Sequence, residues 1–165
     1  MSQVIHEIPP IYNENSKILI LGSFPSVKSR EGQFFYHHPQ NRFWKVLAAV
    51  TGQPVPGSVE EKKQFLLEQQ IAVWDVIASC EIKGSSDSSI RNAVPNDLKP
   101  ILETADIEQI YTNGATAYQL YQKYTFPATG RKAVKLPSTS PANAACTLDR
   151  LIEQWGIIKT EVKGA

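Results

Sequence analysis

The ten residues KILILGSFPS, Lys17 to Ser26, carry an unbroken apolar run straight into a corner of glycine, serine and proline. A short apolar run bounded by turn residues reads as a strand buried on both faces, the signature of a parallel sheet. Three further runs share the pattern: Ile71 to Trp74, Ile107 to Thr112 and Lys132 to Leu136. Helical patterns lie between or after them. In NRFWKVLAAV, Phe43, Trp44, Leu47 and Val50 fall on one face, with Asn41 in place as N-cap. VEEKKQFLLEQQ follows a Pro/Gly turn, and PNDLKPILETA starts at Pro95 with polar capping residues. GATAYQLYQKY carries Tyr118, Leu120 and Tyr121, and LDRLIEQW carries Leu148, Leu151, Ile152 and Trp155. Alternating strands and helices predict an α/β fold, a three-layer α/β/α sandwich around a central, mostly parallel four-stranded sheet. GIIKTEV near the end is a candidate short edge strand.

With 165 residues, no repeats and no domain-sized shift in composition, residues 1–165 read as one domain. No segment approaches the roughly 20 apolar residues of a membrane span, and MSQVIHEIPP has no basic-then-apolar leader pattern. The expectation is a soluble, cytoplasmic monomer. Cys80 and Cys146 read as reduced thiols, and His6, His37 and His38 fall into no metal-ligand spacing, so neither a metal nor a cofactor is expected. The sequence lacks GxGxxG, a Walker-type GxxxxGK[ST] and a GxSxG elbow, which argues against nucleotide cofactors and the usual serine hydrolases. Net charge is only +1, so any nucleic-acid binding rests on local placement of charge and hydrogen-bond donors.

In an open parallel sheet, ligands bind beyond the carboxyl ends of the strands. The segments that follow the four runs are GSFPS, DVIASC, NGA and PSTSPAN, so two polar corners far apart in sequence share one rim. Gly22 permits a sharp turn and close approach of backbone to a ligand, while Pro25 stiffens it. Phe24 offers a flat face for stacking on a ring, or else simply fills the core. PSTSPAN, with Ser138, Thr139, Ser140, Pro141 and Asn143, suits phosphate contacts through hydroxyls and amides, or else caps the helix that follows. FFYHHPQNRFWKV is dense in aromatics around Asn41 and Arg42. Asp75 follows the second run, either as a rim residue or as a structural cap. Arg30, Arg42 and Arg91 are phosphate contacts or solvated charge, and KGSSDSSIRN reads as a polar loop.

GSFPS, then HPQNRFWKV, then LPSTSPAN ahead of a final helix resembles the uracil-DNA glycosylase superfamily, from Leu19 to Trp155. The likeness is closest to its deoxyinosine (hypoxanthine-removing) branch, which is related to the mismatch-specific uracil/thymine branch, and SSDSSIRNAVPNDL fits the same branch. In the mismatch-specific branch the first motif reads Gly-x-Asn-Pro-Gly, and its Asn orients the attacking water. Here that place holds Phe24. The resemblance implies that the catalytic role moves to Asn41 in QNRFW. It further implies a base pocket walled by Gly22, Ser23, Phe24 and Pro25, with DNA held by Arg42, Ser138, Thr139, Ser140, Pro141 and Asn143. The implied partner is DNA containing hypoxanthine or uracil, the implied reaction monofunctional hydrolysis of the N-glycosidic bond. A non-catalytic nucleic-acid binder on the same fold is the rival expectation.

Overall fold

The computed structural model describes residues 3–160. Strand β1 (Gln3–Ile5) leads to β2 (Ile18–Gly22), helix α1 (Val27–Gly32), α2 (Phe43–Thr51) and α3 (Val59–Glu68). There follow β3 (Ile71–Asp75), β4 (Ile77–Glu81), β5 (Arg91–Pro95) and α4 (Lys99–Thr104). The chain ends with β6 (Gln109–Asn113), α5 (Ala115–Leu120), a π-helical stretch at Tyr121–Thr125, α6 (Phe126–Thr129), β7 (Ala133–Leu136) and α7 (Leu148–Trp155).

The central sheet has the order β3-β2-β6-β7 and every pairing in it is parallel. All five residues of β2 are buried, as its unbroken apolar run requires. Alternation along the strand sends Ile18 and Ile20 to one face and Leu19 and Leu21 to the other. The first face packs on Phe43, Trp44 and Leu47 of α2, Phe65 and Leu66 of α3, and Leu151 and Trp155 of α7. The second packs on Ile101 of α4 and on Tyr121, with Ile77 and Cys80 of β4 beside them. Parallel order is what makes the rim: β2, β3, β6 and β7 all end at one edge of the sheet, and GSFPS and PSTSPAN leave from it.

The helices start where the side chains say they should. Ser58 and Glu61 form a reciprocal capping box on α3, at 3.1 and 3.0 Å. Thr147 accepts the Arg150 N–H at the start of α7, and Ser26 accepts the Ser29 N–H at the start of α1. Trp155, with none of its surface exposed, donates its indole N–H to the Pro137 carbonyl at 2.9 Å and so pins α7 to the loop after β7.

Four expectations need correction. DVIASC is not a loop, because Ile77–Glu81 is β4, the middle of an antiparallel three-stranded sheet of order β1-β4-β5. Pro95 ends β5 instead of opening a helix; the helix begins at Lys99, with Pro100 in its first turn, where a missing N–H costs nothing. KGSSDSSIRN holds a short 3₁₀ turn at Asp87–Ser89 and the first residues of β5. Gly156–Thr160 of GIIKTEV is 3₁₀-helical, with Ile158 fully buried in the core, and the rest of that stretch lies outside the described residues.

Trp155→Phe keeps an aromatic ring, though a smaller one, and leaves the Pro137 carbonyl without its donor. The expected outcome is an unfolding free energy lower by about 1–3 kcal/mol, read from a shifted urea midpoint at unchanged m-value.

Candidate active site

Beyond the ends of β2, β3 and β6 lies a cavity of about 130 Å³. Gly22, Ser23, Phe24 and Pro25 line it from the first corner, Ser138, Thr139 and Ser140 from the second, and Asn41 from the turn before α2. Its further lining includes Phe35, Tyr36, Asp75, Asp87 and Asn113. A broader, open groove adjoins it, bordered by Ser85, Ser88, Asn113, Lys135, Ser138 and Asn143.

The two corners are joined through one hydroxyl. Thr139 is fully buried; its O–H donates to Asn41 Oδ1 at 2.8 Å, and its Oγ1 accepts from Asn113 Nδ2 at 3.0 Å. The Thr139 N–H donates to Asn113 Oδ1 at 3.0 Å, and the Phe43 N–H donates to Asn41 Oδ1 at 3.0 Å. Each of those backbone donors needs an oxygen, which fixes the orientation of both carboxamides. Asn41 therefore reaches the first turn of α2 as expected of a cap, although Arg42 is the residue in the N-cap position. With its hydroxyl wholly engaged inside the protein, Thr139 is a strut between β6, α2 and the loop after β7, and not a surface grip for phosphate.

Arg42 is likewise turned inward. Its guanidinium donates to the carbonyls of Ser140 (2.8 Å), Asn143 (3.1 Å), Thr139 and Cys146. Five N–H groups in a rigid fork suit this job, clamping a loop that has no ladder of its own. Within the loop Ser138 Oγ accepts the Ser140 N–H and Ser140 Oγ accepts the Ala142 N–H, both at 3.1 Å. Asn143 donates through Nδ2 to the Ser138 carbonyl at 3.0 Å. Pro141 and Asn143 are half-buried, and neither lines the cavity itself. Arg30 and Arg91 also bond backbone carbonyls, Arg30 that of Gly84 and Arg91 those of Ser88 and Ile90.

Aromatic rings make the apolar walls. Phe24 is 7% exposed, belongs to the core and lines the cavity at once, with the Arg30 guanidinium 5.7 Å from its centroid. Tyr36 stacks on Phe43 with centroids 3.9 Å apart and planes 19° off parallel. Its backbone sits at φ 51°, a left-handed conformation that bulky residues seldom adopt and that is characteristic of functional sites. The Tyr36 hydroxyl is buried, and burial, with the nearby Asp75 charge, holds its pKa far above the ordinary phenol value against the opposing pull of the Asn113 side chain. It therefore stays protonated and can act as a hydrogen-bond donor.

Acidic groups enter from two sides. Ser23 donates to Asp87 Oδ1 at 2.8 Å, and the Val27 N–H donates to Ser85 Oγ at 2.8 Å, so the 83–90 loop is tied over the GSFPS corner. Packing of the Asp87 carboxylate against the site raises its pKa; the Ser23 bond opposes the shift and the Asp75 charge adds to it, while much of the residue stays open to solvent. Asp75, the last residue of β3, accepts from His6 Nε2 at 2.8 Å. Gly22 faces Asp75 in register, and a Cβ there would come within 2.4 Å of Asp75 Oδ1 and 3.0 Å of the Tyr36 hydroxyl. Only glycine lets these groups close on the strand end.

Sequence reasoning gathered the two corners and Asn41 but passed over Tyr36, Asn113, Asp87 and His6. Asn113 carried a usable signal, because NGA ends a buried run on the rim. The aromatic density of FFYHH pointed at Tyr36 without singling it out. His37 and His38 do not line the cavity. Gly32 is needed for His37, whose ring would lie 2.4 Å from a Cβ on it.

A narrow cup with aromatic walls and carboxamide, hydroxyl and carboxylate groups at parallel strand ends defines an α/β protein whose cavity suits one compact, planar, polar ring. Residues 9–157 match the Uracil DNA glycosylase superfamily model, and the chain belongs to that superfamily. It is 33% identical over 153 residues to a hypoxanthine DNA glycosylase of Methanosarcina acetivorans, covering 92% of this chain and 96% of that one. A hypoxanthine DNA glycosylase of Methanosarcina barkeri is 30% identical over 108 residues, 64% of this chain and 68% of the other. The solution NMR structure of a Methanosarcina acetivorans protein provisionally assigned as a uracil DNA glycosylase superimposes with a TM-score of 0.79 at 32% identity, covering 92% and 94% of the two chains. Among the described residues no helix is long and apolar enough to cross a membrane.

Thr139→Val removes the hydroxyl that serves both carboxamides, taking one of two donors from Asn41 Oδ1 and the acceptor from Asn113 Nδ2. The expected result is a loss of about 1–3 kcal/mol in unfolding free energy, measured by urea titration, larger than that of the same exchange at exposed Thr104.

Proposed function

We propose that this chain is a monomeric, monofunctional DNA glycosylase that hydrolyses the N-glycosidic bond of a deaminated base, hypoxanthine foremost, and leaves an abasic site. The observation that carries the reading is the Asn41 carboxamide, locked by Thr139 and Phe43 at the wall of a ring-sized cup. The likeness to two hypoxanthine DNA glycosylases supports hypoxanthine as the preferred base.

The bond to be broken is shielded inside a duplex, so the nucleotide is extruded into the cup, at a cost of a few kcal/mol that is least for a mispaired base. Selection for lesions begins there. Gly22, Ser23, Phe24 and Pro25 border the base, and Phe24 stacks on it. As in other glycosidic cleavages, the sugar passes through an oxocarbenium-like transition state. Such a centre is already a strong electrophile, so a neutral amide suffices to hold the attacking water near C1′, and that is the role of Asn41. Ser138 and Ser140 each accept one loop N–H and retain an O–H to donate, which suits them to the phosphate beside the lesion. Pro141 and Asn143 lie at the edge of that loop, where the vacated space in the duplex would face them. Arg42 and Thr139 hold this loop in shape, and their contribution to DNA binding is indirect.

The test uses end-labelled duplexes carrying hypoxanthine, uracil or no lesion, followed by alkali. Strand breaks at hypoxanthine, faster than at uracil, are the expected result; retarded mobility without breaks identifies a binder and overturns the reading. Faster cleavage at uracil reverses the order of preference. Asn41→Ala should abolish most single-turnover cleavage while affinity for the duplex is retained. Cleavage surviving within about tenfold, or about 1.4 kcal/mol of barrier, would remove Asn41 from the mechanism.

A further inference from the structure

The geometry of Asn41 leaves the reaction one group short. A carbonyl oxygen has two lone pairs, and those of Asn41 Oδ1 are taken by the Phe43 N–H and the Thr139 hydroxyl. The side chain can present only Nδ2–H to a water. That bond holds the water through one lone pair and leaves the other free to attack, but it offers no place for the proton the water must lose. Among the described residues two carboxylates line the cup, those of Asp75 and Asp87, and no histidine does.

The two carboxylates differ in how they are held. Asp87 accepts from Ser23 and belongs to an exposed loop. Asp75 has a side chain 5% exposed and is fixed from three directions. His6 Nδ1 accepts the Ile8 N–H at 3.2 Å, which places the imidazole proton on Nε2, where it is donated to Asp75 Oδ2 at 2.8 Å. The His6 ring, 1% exposed in its side chain, is packed among Phe24, Phe35 and Trp74 at 6.0–6.2 Å. Asn96 Nδ2 donates to the Asp75 carbonyl at 2.9 Å. The remaining oxygen, Oδ1, lies against the bare Cα of Gly22 at the cavity wall, and among the described residues no donor is bonded to it.

We propose that Asp75 Oδ1 is the proton acceptor for the attacking water, with His6 as its positioning residue; the step rests on the glycosylase reading above. The water oxygen bonds to C1′ as the C1′–N bond breaks, and that electron pair leaves with the base. The water proton passes to Asp75 Oδ1, and the departing base takes its own proton from solvent. Before the transfer, the carboxylate also faces the cation-like sugar and stabilises it. A carboxylate one register place across from Gly22 thus supplies what the apolar Phe24 cannot.

Asp75→Asn and Asp87→Asn are compared with the unaltered protein in three measurements. These are single-turnover cleavage of a hypoxanthine duplex, affinity for the same duplex carrying 2′-fluoro-deoxyinosine, which resists cleavage, and thermal unfolding. Asp75→Asn should cleave at least about 100-fold more slowly at unchanged affinity and melting temperature, a loss at least about tenfold larger than that of Asp87→Asn. Cleavage by Asp75→Asn within about threefold overturns the proposal, as does a loss of affinity that accounts for the loss of rate, or a loss that falls on Asp87→Asn instead. If Asp75→Asn fails to fold, Asp75→Ala with added formate decides: restored cleavage supports the assignment and no restoration overturns it. An unaltered protein inert on every deaminated base overturns the function proposed above, and this step with it.

Discussion

The buried hydroxyl of Thr139 is the contact on which the site's geometry depends. It joins the loop after β7 to the end of β6 and to the turn before α2, three places separated by 26 and 98 residues of chain. A hydroxyl that donates once and accepts once transmits orientation: Asn113 sets Thr139, and Thr139 sets Asn41. Because every partner in this chain is fixed at its far end by a backbone N–H, none can swing without breaking a second bond. Arg42 does for the loop backbone what Thr139 does for the side chains. The result is a polar floor with the rigidity ordinarily found in an apolar core.

This arrangement explains how a superfamily member can work with phenylalanine in its first motif. The strand-end corner supplies shape and an apolar wall, while the polar groups come from neighbours of that corner. Asn41 comes from the helix side, Asp75 from the adjacent strand, and Asn113 from the strand beyond. Gly22 is the common condition, since any side chain there would collide with the Asp75 carboxylate.

The rim was legible in the sequence because its causes are local. Short, β-branched apolar runs such as ILIL, bounded by turn residues, read as strands buried on both faces, and parallel strands send their following turns to one side. The antiparallel sheet was not legible, because β1 is short, β4 and β5 are partly exposed without a clean apolar run, and their pairing is a property of the folded chain. Arg42 beside Asn41 looked like a phosphate contact by composition, and only its carbonyl partners reveal a clamp. Thr139 looked like one of three equivalent hydroxyls in PSTSPAN, yet it alone of the three is wholly buried. Side-chain bonds across the fold leave no periodicity to read.

His6 sits one residue beyond β1, which is held to the rest of the fold by its antiparallel ladder with β4, Gln3 against Glu81 through Ile5 against Ser79. The ring that orients Asp75 is therefore delivered by the earliest described segment of the chain, while Thr139 arrives among the last. As the polypeptide is synthesised, no partial chain can assemble a working cup: the first support must wait for β4, and the floor must wait for the loop after β7. Nascent forms of this protein carry the GSFPS corner long before they carry the loop after β7 that completes the cavity.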